Sequence, residues 1–261
     1  MSATIVLPTY CEAENVENLI NEIQELKLDL TISMIDDSSP DGTADIARKL
    51  QNRYGNIHLI SRPEKLGLGT AITTGFRHIL KLRKVPDYIV TMDADYSHNP
   101  QDIPRLLDAA RKGYDLVIGS RYYQGGKVNG WSLRRRLISR LANVIAAVTV
   151  GGRLHDCTSG FRCYSRHYVK DVLQNLHSQT YEIQIETIRQ ARLKGFAVKE
   201  IPITFVDRKR GKSKLTAIES QAFVSYIVKS ILGNLFLLWK QVTTRKSRVH
   251  ASNCGSQAST P

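Results

Sequence analysis

Short apolar runs alternate with longer stretches of helical spacing along the N-terminal half of the chain. Thr4-Ile5-Val6-Leu7 predicts a strand, and Val16, Leu19, Ile20, Ile23 and Leu26 then fall at the three- and four-residue intervals of one helix face. Thr31 to Ile35 predicts a second strand, and Ala44, Ile46, Ala47 and Leu50 a second helix. The rhythm continues through strand His58 to Ser61, helix Thr70 to Leu82, strand Tyr88 to Met92, helix Pro100 to Lys112 stopped by Gly113, and strand Leu116 to Ser120. Such β, α, β, α alternation predicts an α/β domain whose sheet is mostly parallel and covered by helices on both faces.

Beyond residue 121 the pattern loosens. Gly125, Gly126 and Gly130 mark a loop, Arg134-Arg135-Arg136 opens a helix reaching about Val150, and a loop runs from Gly151 to Arg162. A helix is expected from about Tyr181 to Lys194 and a strand from Val198 to Phe205, followed by a polar, strongly basic segment, 207–215. An apolar helix is expected within 218–240, and the basic, Ser-rich 243–261 reads as a disordered tail. The expected division is therefore 1–216 as one globular domain, 217–242 as the helix and 243–261 as the tail.

The strands end on polar loops. β-rich Tyr88 to Met92 runs into Asp93-Ala94-Asp95, Thr31 to Ile35 into Asp36-Asp37-Ser38-Ser39-Pro40-Asp41-Gly42-Thr43, and the first strand into Pro8-Thr9-Tyr10-Cys11-Glu12. Open α/β sheets bind ligands in the crevice beyond the carboxyl ends of their strands. Two carboxylates one residue apart in a strand-end loop can both turn toward one hard cation, and oxygen ligands suit Mg²⁺ or Mn²⁺, which commonly hold a diphosphate. The plainer reading makes these residues turn formers and helix caps, with Asp41 or Thr43 capping the second helix and Asn99-Pro100 starting another.

With 261 residues, 42% of them hydrophobic, the chain can bury a full core. A formal net charge of +13 implies an anionic partner: nucleic acid, an acidic membrane surface or a phosphate-bearing substrate. Nucleic acid is disfavoured, because acidic turns crowd the crevice and no zinc-binding, recognition-helix or aromatic RNA-binding motif is visible. Gly67-Leu68-Gly69 is not the glycine pattern of a dinucleotide loop. Cys11, Cys157, Cys163 and Cys254 form neither a metal knuckle nor a disulfide framework, so Cys157 and Cys163 are expected as packing residues in a reducing compartment. His98 and His155 are expected to be structural. No secretory signal is recognisable before Pro8, which predicts a cytoplasmic location.

In register, Leu7-Pro8-Thr9-Tyr10, Asp36 to Thr43, Gly67-Leu68-Gly69-Thr70-Ala71, Asp93 to Pro100, Gly119-Ser120-Arg121-Tyr122, Gly130-Trp131, Thr158 to Arg162 and Asp207-Arg208 with Gly211 to Leu215 resemble one family. It is that of the dolichol-phosphate (polyprenol-phosphate) mannose synthases, inverting family-2 glycosyltransferases, and the resemblance covers about residues 3 to 216. It implies a single GT-A (Rossmann-like) domain, GDP-mannose as donor, a polyprenyl monophosphate in a membrane as acceptor, and Mg²⁺ or Mn²⁺ as cofactor. Carried over by residue, Pro8, Tyr10, Glu12, Ile35 and Asp37 would hold the guanosine, and Asp93, Ala94 and Asp95 the diphosphate, with Asp93 and Asp95 as metal ligands. Arg121, Arg208 and Lys214 would complete the phosphate site, Asp95, Arg208 and Lys214 being the catalytic group. Some relatives carry Gln where this chain has Ser97, which leaves a third side-chain ligand open.

Such a set suits the reaction. Breaking the sugar to oxygen bond adds charge to the leaving diphosphate, which a cation and basic side chains stabilise. The attacking phosphate oxygen is already largely ionised near neutral pH, so no strong general base is needed. Rival readings are a UDP-glucose-dependent polyprenyl-phosphate glucosyltransferase of the same fold, since the spacing of Tyr10, Glu12 and Asp37 does not separate guanine from uracil, and a non-catalytic scaffold, against which the intact carboxylates argue.

The C-terminal apolar helix is expected to lie on a membrane surface. Phe223, Val224, Ile227, Val228, Ile231, Leu235 and Leu238 share one face, with Ser225, Lys229 and Lys240 opposite. Its apolar span of roughly 27 Å falls short of a hydrocarbon core of roughly 30 Å. A central Lys229 would cost about 2.5 to 3.5 kcal/mol in a spanning helix. The protein is thus expected to be peripheral, on the cytoplasmic face.

Overall fold

A computed structural model describes residues 2–208, 221, 222 and 224–231. The elements in chain order are β1 (Ala3–Thr9), α1 (Val16–Glu25), β2 (Leu30–Asp36), α2 (Thr43–Tyr54), β3 (Ile57–Ser61), α3 (Leu68–Leu80), β4 (Tyr88–Thr91), α4 (Ile103–Arg111) and β5 (Leu116–Ser120). They continue with β6 (Lys127–Asn129), α5 (Leu133–Thr149), β7 (Arg162–Ser165), α6 (Arg166–Val172), α7 (Ile183–Leu193), β8 (Val198–Pro202) and β9 (Thr204–Val206). The expected alternation through the fifth strand is present, element by element.

Seven strands form the main sheet in the order β3-β2-β1-β4-β7-β5-β8, and only β7 runs against its neighbours. Because side chains alternate across a strand, each strand serves two cores. Ile5 and Leu7, Ile32 and Met34, Val90 and Val117 enter the layer under α1, α2 and α4. Val6, Ile35, Ile89, Leu116 and Ile118 enter the opposite layer under α3, α6 and α7. Helix α3 lies close over β1 at Gly75, where a Cβ would meet Val6 Cγ1 at 2.7 Å. Cys157 and Cys163 are buried packing residues, as expected.

Several segments differ from expectation, among them Lys127–Asn129, which forms β6 inside the expected glycine-rich loop. Residues 162–172 form a strand and a helix that the sequence pattern did not reveal. The single strand expected over Val198 to Phe205 is two: β8 joins the main sheet, while β9 leaves it to pair in parallel with β6. Pro202, which has no backbone N–H to give a ladder, ends β8, and the Ile203 N–H turns back to the Ser120 carbonyl at 3.0 Å.

Residues 221, 222 and 224–231 are helical. Val224, Val228 and Ile231 are exposed, but Ile227, expected on their face, is buried in the core beneath α3 and α7. The rest of the expected helix, the tail, Lys214 and Cys254 lie outside the described residues.

Candidate active site

The parallel strands β1, β2 and β4 end at one edge of the sheet, and their loops meet there. The antiparallel β7 pairs Arg162 with Thr91, so it brings its preceding loop, Thr158 to Phe161, to the same edge. Pro8, Tyr10, Glu12, Asp37, Asp93, Ala94, Asp95 and Arg208, spread over 200 positions of sequence, line one cleft. Thr9, Lys65, Leu68 and Tyr181 join them. Lys65 and Tyr181 carried no signal of their own in the sequence. The glycines of Gly67-Leu68-Gly69 bring Tyr181 in: Gly67 has φ +93°, and a Cβ there would lie 2.5 Å from the Gln179 carbonyl oxygen.

The acids of the second strand-end turn divide between two tasks. Asp36 accepts from the hydroxyls of Thr9 (3.1 Å) and Ser39 (2.6 Å) and never reaches the cleft. Asp41 does not cap α2, whose N-cap is Gly42; it accepts from the Thr43 hydroxyl at 2.6 Å and the Thr43 N–H at 3.1 Å, and also takes the Ala13 N–H at 3.0 Å. Asp37 alone faces the cleft, held by Arg62 Nε at 2.6 Å and the Leu66 N–H at 3.2 Å. Burial pushes its carboxyl above the ordinary range despite Arg62. Arg62 also donates to the Thr70 hydroxyl and the Gly67 carbonyl, which ties the loop before α3 to the end of β2. Across the cleft, Lys65 Nζ stands 5.2 Å from the centre of the Tyr10 ring.

The Asp93 to Asn99 loop is strapped at four points. The buried His98 accepts the Asp93 N–H at Nδ1 (3.1 Å) and stacks on Phe161 at 5.0 Å. Burial lowers its pKa, so it serves as a neutral acceptor. Asp95 accepts the Ser97 N–H at 3.0 Å and faces Arg208 Nη2 at 3.1 Å. Thr91 donates to the Gly160 carbonyl at 2.8 Å, and a Cβ at Gly160 would stand 3.3 Å from Asp93 Oδ1. Tyr96, at φ +61°, reaches α1, where its hydroxyl donates to Glu22 at 2.9 Å.

The two carboxylates are not equivalent. Asp93 is 39% exposed to the cleft, and its carboxyl is raised above the ordinary range by its low-dielectric surroundings, with the charge on Asp95 adding to the rise. At Asp95 burial is outweighed by Ser97 and by the Arg208 charge, which hold the carboxyl below that range. The Ser97 hydroxyl is buried beside Asp95 without a hydrogen bond of good geometry. Two carboxylates and the Ser97 hydroxyl beside them form an all-oxygen donor set, and Mg²⁺-type sites commonly take one or two carboxylates plus substrate phosphates and water. Among the described residues no group of three or more His, Cys, Asp or Glu could complete a cage by itself.

Tyr96→Phe tests the strap. Loss of one hydrogen bond, about 1 kcal/mol, should raise the Mn²⁺ concentration for half-maximal activity several-fold while the melting temperature changes little. An unchanged Mn²⁺ titration would show that the loop keeps its geometry without Glu22.

Two sequence-assigned residues do not reach the cleft. Ile35 is fully buried, its side chain packed toward Gly75, so it supports the cleft from below. Arg121 does not line the cleft: Nε and Nη2 each lie 2.7 Å from the Asp156 carboxylate, and Nη2 also donates to the Thr158 hydroxyl at 2.6 Å. The rings of Tyr122, Trp131 and Phe205 surround its guanidinium at 5.4 to 5.5 Å. It lines a separate groove with Lys127, Arg136 and Arg140. Asp156 itself is positioned by Glu200, which accepts the N–H groups of His155 and Asp156 at 2.9 Å.

Residues 4–173 match the family described as glycosyl transferase family 2. The chain is 39% identical over 214 residues to the polyprenol monophosphomannose synthase of Mycolicibacterium smegmatis, a match spanning 81% of this chain and 80% of that protein. It is 38% identical over 218 residues to the undecaprenyl-phosphate mannosyltransferase of Micrococcus luteus, spanning 83% and 88%. Among solved structures it resembles the glucosyl-3-phosphoglycerate synthase of Mycobacterium tuberculosis in complex with Mn²⁺, UDP-glucose and phosphoglyceric acid (TM-score 0.63, 20% identity, 89% of this chain and 79% of that one). It also resembles a mannosyltransferase of Pyrobaculum calidifontis in complex with GDP-Man and Mn²⁺ (TM-score 0.53, 18% identity, 80% and 58%). At those identities the structural likeness is one of fold.

Proposed function

The chain belongs to glycosyl transferase family 2, it is a glycosyltransferase of GT-A fold, and on that premise we propose that it moves mannose from GDP-mannose to a polyprenyl monophosphate, giving a β-mannosyl phospholipid. One observation carries the reading. Asp93, Asp95 and Arg208 meet in the cleft beyond β4 of a chain 39% identical to a polyprenol monophosphomannose synthase.

Pro8, Tyr10, Glu12 and Asp37 would receive the nucleoside, with Lys65 over Tyr10 closing one side and Ile35 acting only through the floor it builds. Asp93 and Asp95 would hold Mg²⁺ or Mn²⁺ against the diphosphate, Ser97 offering a further oxygen; the ion would neutralise charge on the leaving group. Arg208, already beside Asp95, is in place to take up phosphate charge as the sugar to oxygen bond breaks. Lys214 is assigned the same task from the sequence. His98, buried and neutral, keeps the loop in register and takes no part in proton transfer. The acceptor phosphate supplies its own ionised nucleophile, and attack opposite the leaving diphosphate inverts an α-linked donor.

The acceptor places the working enzyme at a membrane, as a peripheral protein on the cytoplasmic face. No helix among the described residues is long and apolar enough to cross a bilayer. The deciding experiment supplies labelled GDP-mannose or UDP-glucose with a polyprenyl phosphate in detergent and Mn²⁺. Label is expected in the lipid fraction from GDP-mannose alone; transfer only from UDP-glucose would install the glucosyl reading instead.

A further inference from the structure

The order of the strands orders what lies beyond them. Across β2-β1-β4-β7, Asp37 stands past β2, Pro8, Tyr10 and Glu12 at the end of β1, Asp93 and Asp95 past β4, and Gly160 just before β7. Neighbouring strands lie about 4.8 Å apart. A nucleoside over β2 and β1 with its diphosphate at β4 therefore brings the next group of the donor, the hexose, to the end of β7. Gly160 leaves space there. A Cβ on it would lie 3.3 and 3.6 Å from the two Asp93 carboxylate oxygens and 3.5 Å from Gln184 Nε2, so a carboxylate and an amide flank one glycine. Gln184 is the second residue of α7, three positions after Tyr181 in the cleft. It is 2% exposed, and among the described residues its Oε1 has no hydrogen-bond partner. Its backbone is fixed: the carbonyl accepts from Arg162 Nη1 at 2.6 Å and the Thr187 hydroxyl at 3.1 Å, and the N–H donates to the Tyr181 carbonyl at 3.2 Å. The fold thus holds in place a buried polar side chain and leaves its oxygen unpaired, where an apolar residue of similar shape would serve stability better.

We propose that Gln184, across the open face of Gly160, binds a hydroxyl of the donor's hexose. The proposal rests on the sugar-nucleotide reading above and deepens it by naming a sugar contact. The chemistry selects this ligand. An amide offers both a donor and an acceptor and carries no charge, which matches a hydroxyl in either sense of the bond; phosphate and cation are drawn instead to Arg208 and Asp95. Asp93, on the other side of the glycine, accepts from the same hydroxyl or its neighbour. A polar group placed to pair with a substrate hydroxyl also rejects a sugar that lacks it, because the group then stays buried and unpaired.

The test is a set of double-mutant-type cycles on the full chain. Wild type and Gln184→Leu are compared in kcat/KM for GDP-mannose and for each of its monodeoxy-mannose analogues, at fixed polyprenyl phosphate and Mn²⁺. Gln184→Leu should lose about tenfold to a hundredfold with GDP-mannose. With one analogue it should lose nothing further, because removing the hydroxyl and removing its partner delete the same contact. Binding of GDP with Mn²⁺, measured by calorimetry, should be unchanged, since GDP lacks the hexose. The melting temperature should hold or rise as the unpaired amide is removed; Gln184→Met, of similar length, takes its place if the leucine variant does not fold. Additive losses with every analogue overturn the proposal. So does an equal loss of GDP and GDP-mannose affinity, which would make Gln184 a support of Asp93, or a fall in melting temperature with normal kcat/KM. If wild type transfers glucose from UDP-glucose instead, the same cycle on deoxy analogues of that donor decides the sugar contact while the mannose reading falls.

Discussion

Asp95→Asn is expected to lower turnover on the order of a hundredfold or more while leaving the fold in place. An asparagine keeps the shape of the side chain and, through its carbonyl oxygen, the bond from the Ser97 N–H. What it removes is the charge that faces Arg208 and, with Asp93, would bind the cation. Removing that charge relieves a repulsion on Asp93 but also gives up the Arg208 contact that holds the Asp95 carboxyl below its ordinary range, so thermal stability should change little or fall slightly as activity collapses. The measurement is steady-state transfer at saturating Mn²⁺ beside a melting curve. Wild-type turnover of the variant in excess chelator would remove the metal from the account, and parallel loss of folding and activity would make Asp95 a structural residue.

Asp156→Ala should produce the largest loss of stability, about 3 to 5 kcal/mol. The Asp156 and Arg121 side chains are 0% and 8% exposed, and the substitution leaves a guanidinium in the interior among three rings. Urea unfolding measures it. Replacing both partners, as in Asp156→Leu/Arg121→Met, should recover much of the loss, because no uncompensated charge remains. The pH dependence has a definite sign. Burial alone would raise Asp156, but the Arg121 charge and the hydrogen bonds to it hold the carboxyl below its ordinary 3.8. A depressed carboxyl stabilises the fold above the unfolded value, and that contribution disappears as pH falls below 3.8 through the folded one. The wild type should therefore lose stability more steeply below that pH than the paired replacement. Equal acid profiles would mean that the ion pair carries no such linkage.

What was legible in the chain was whatever repeats locally. Strand and helix periods through Ser120 gave the order of elements and the edge where ligands gather, and Pro8, Tyr10, Glu12, Asp37, Asp93, Ala94, Asp95 and Arg208 do line one cleft. Arg121, placed in the phosphate site by the resemblance, is engaged in a buried ion pair with a partner 35 positions away, which no local pattern announces. Strand β7 escaped notice for a related reason: four residues, opened by a fully buried arginine, do not look like a central strand. Arg162 is tolerated there because its guanidinium donates to the carbonyls of Cys157, Ser159 and Gln184 and to the Thr187 hydroxyl, the last two more than twenty positions away in sequence. Likewise, only packing distinguishes Asp36 and Asp41, which tie turns together, from Asp37, which faces the cleft.

The late arrival of β7 shapes how the molecule is made. Strands β1 to β4 are synthesised together and can pair at once, but the strand that belongs beside β4 is encoded some 70 residues later, after β5 and α5. Until residue 165 has left the ribosome, β4 presents an unpaired hydrogen-bonding edge with Ile89 and Val90 on it, the kind of template on which growing chains aggregate. The segment of translation between β4 and β7 is therefore the interval in which the growing chain is expected to be most prone to aggregate.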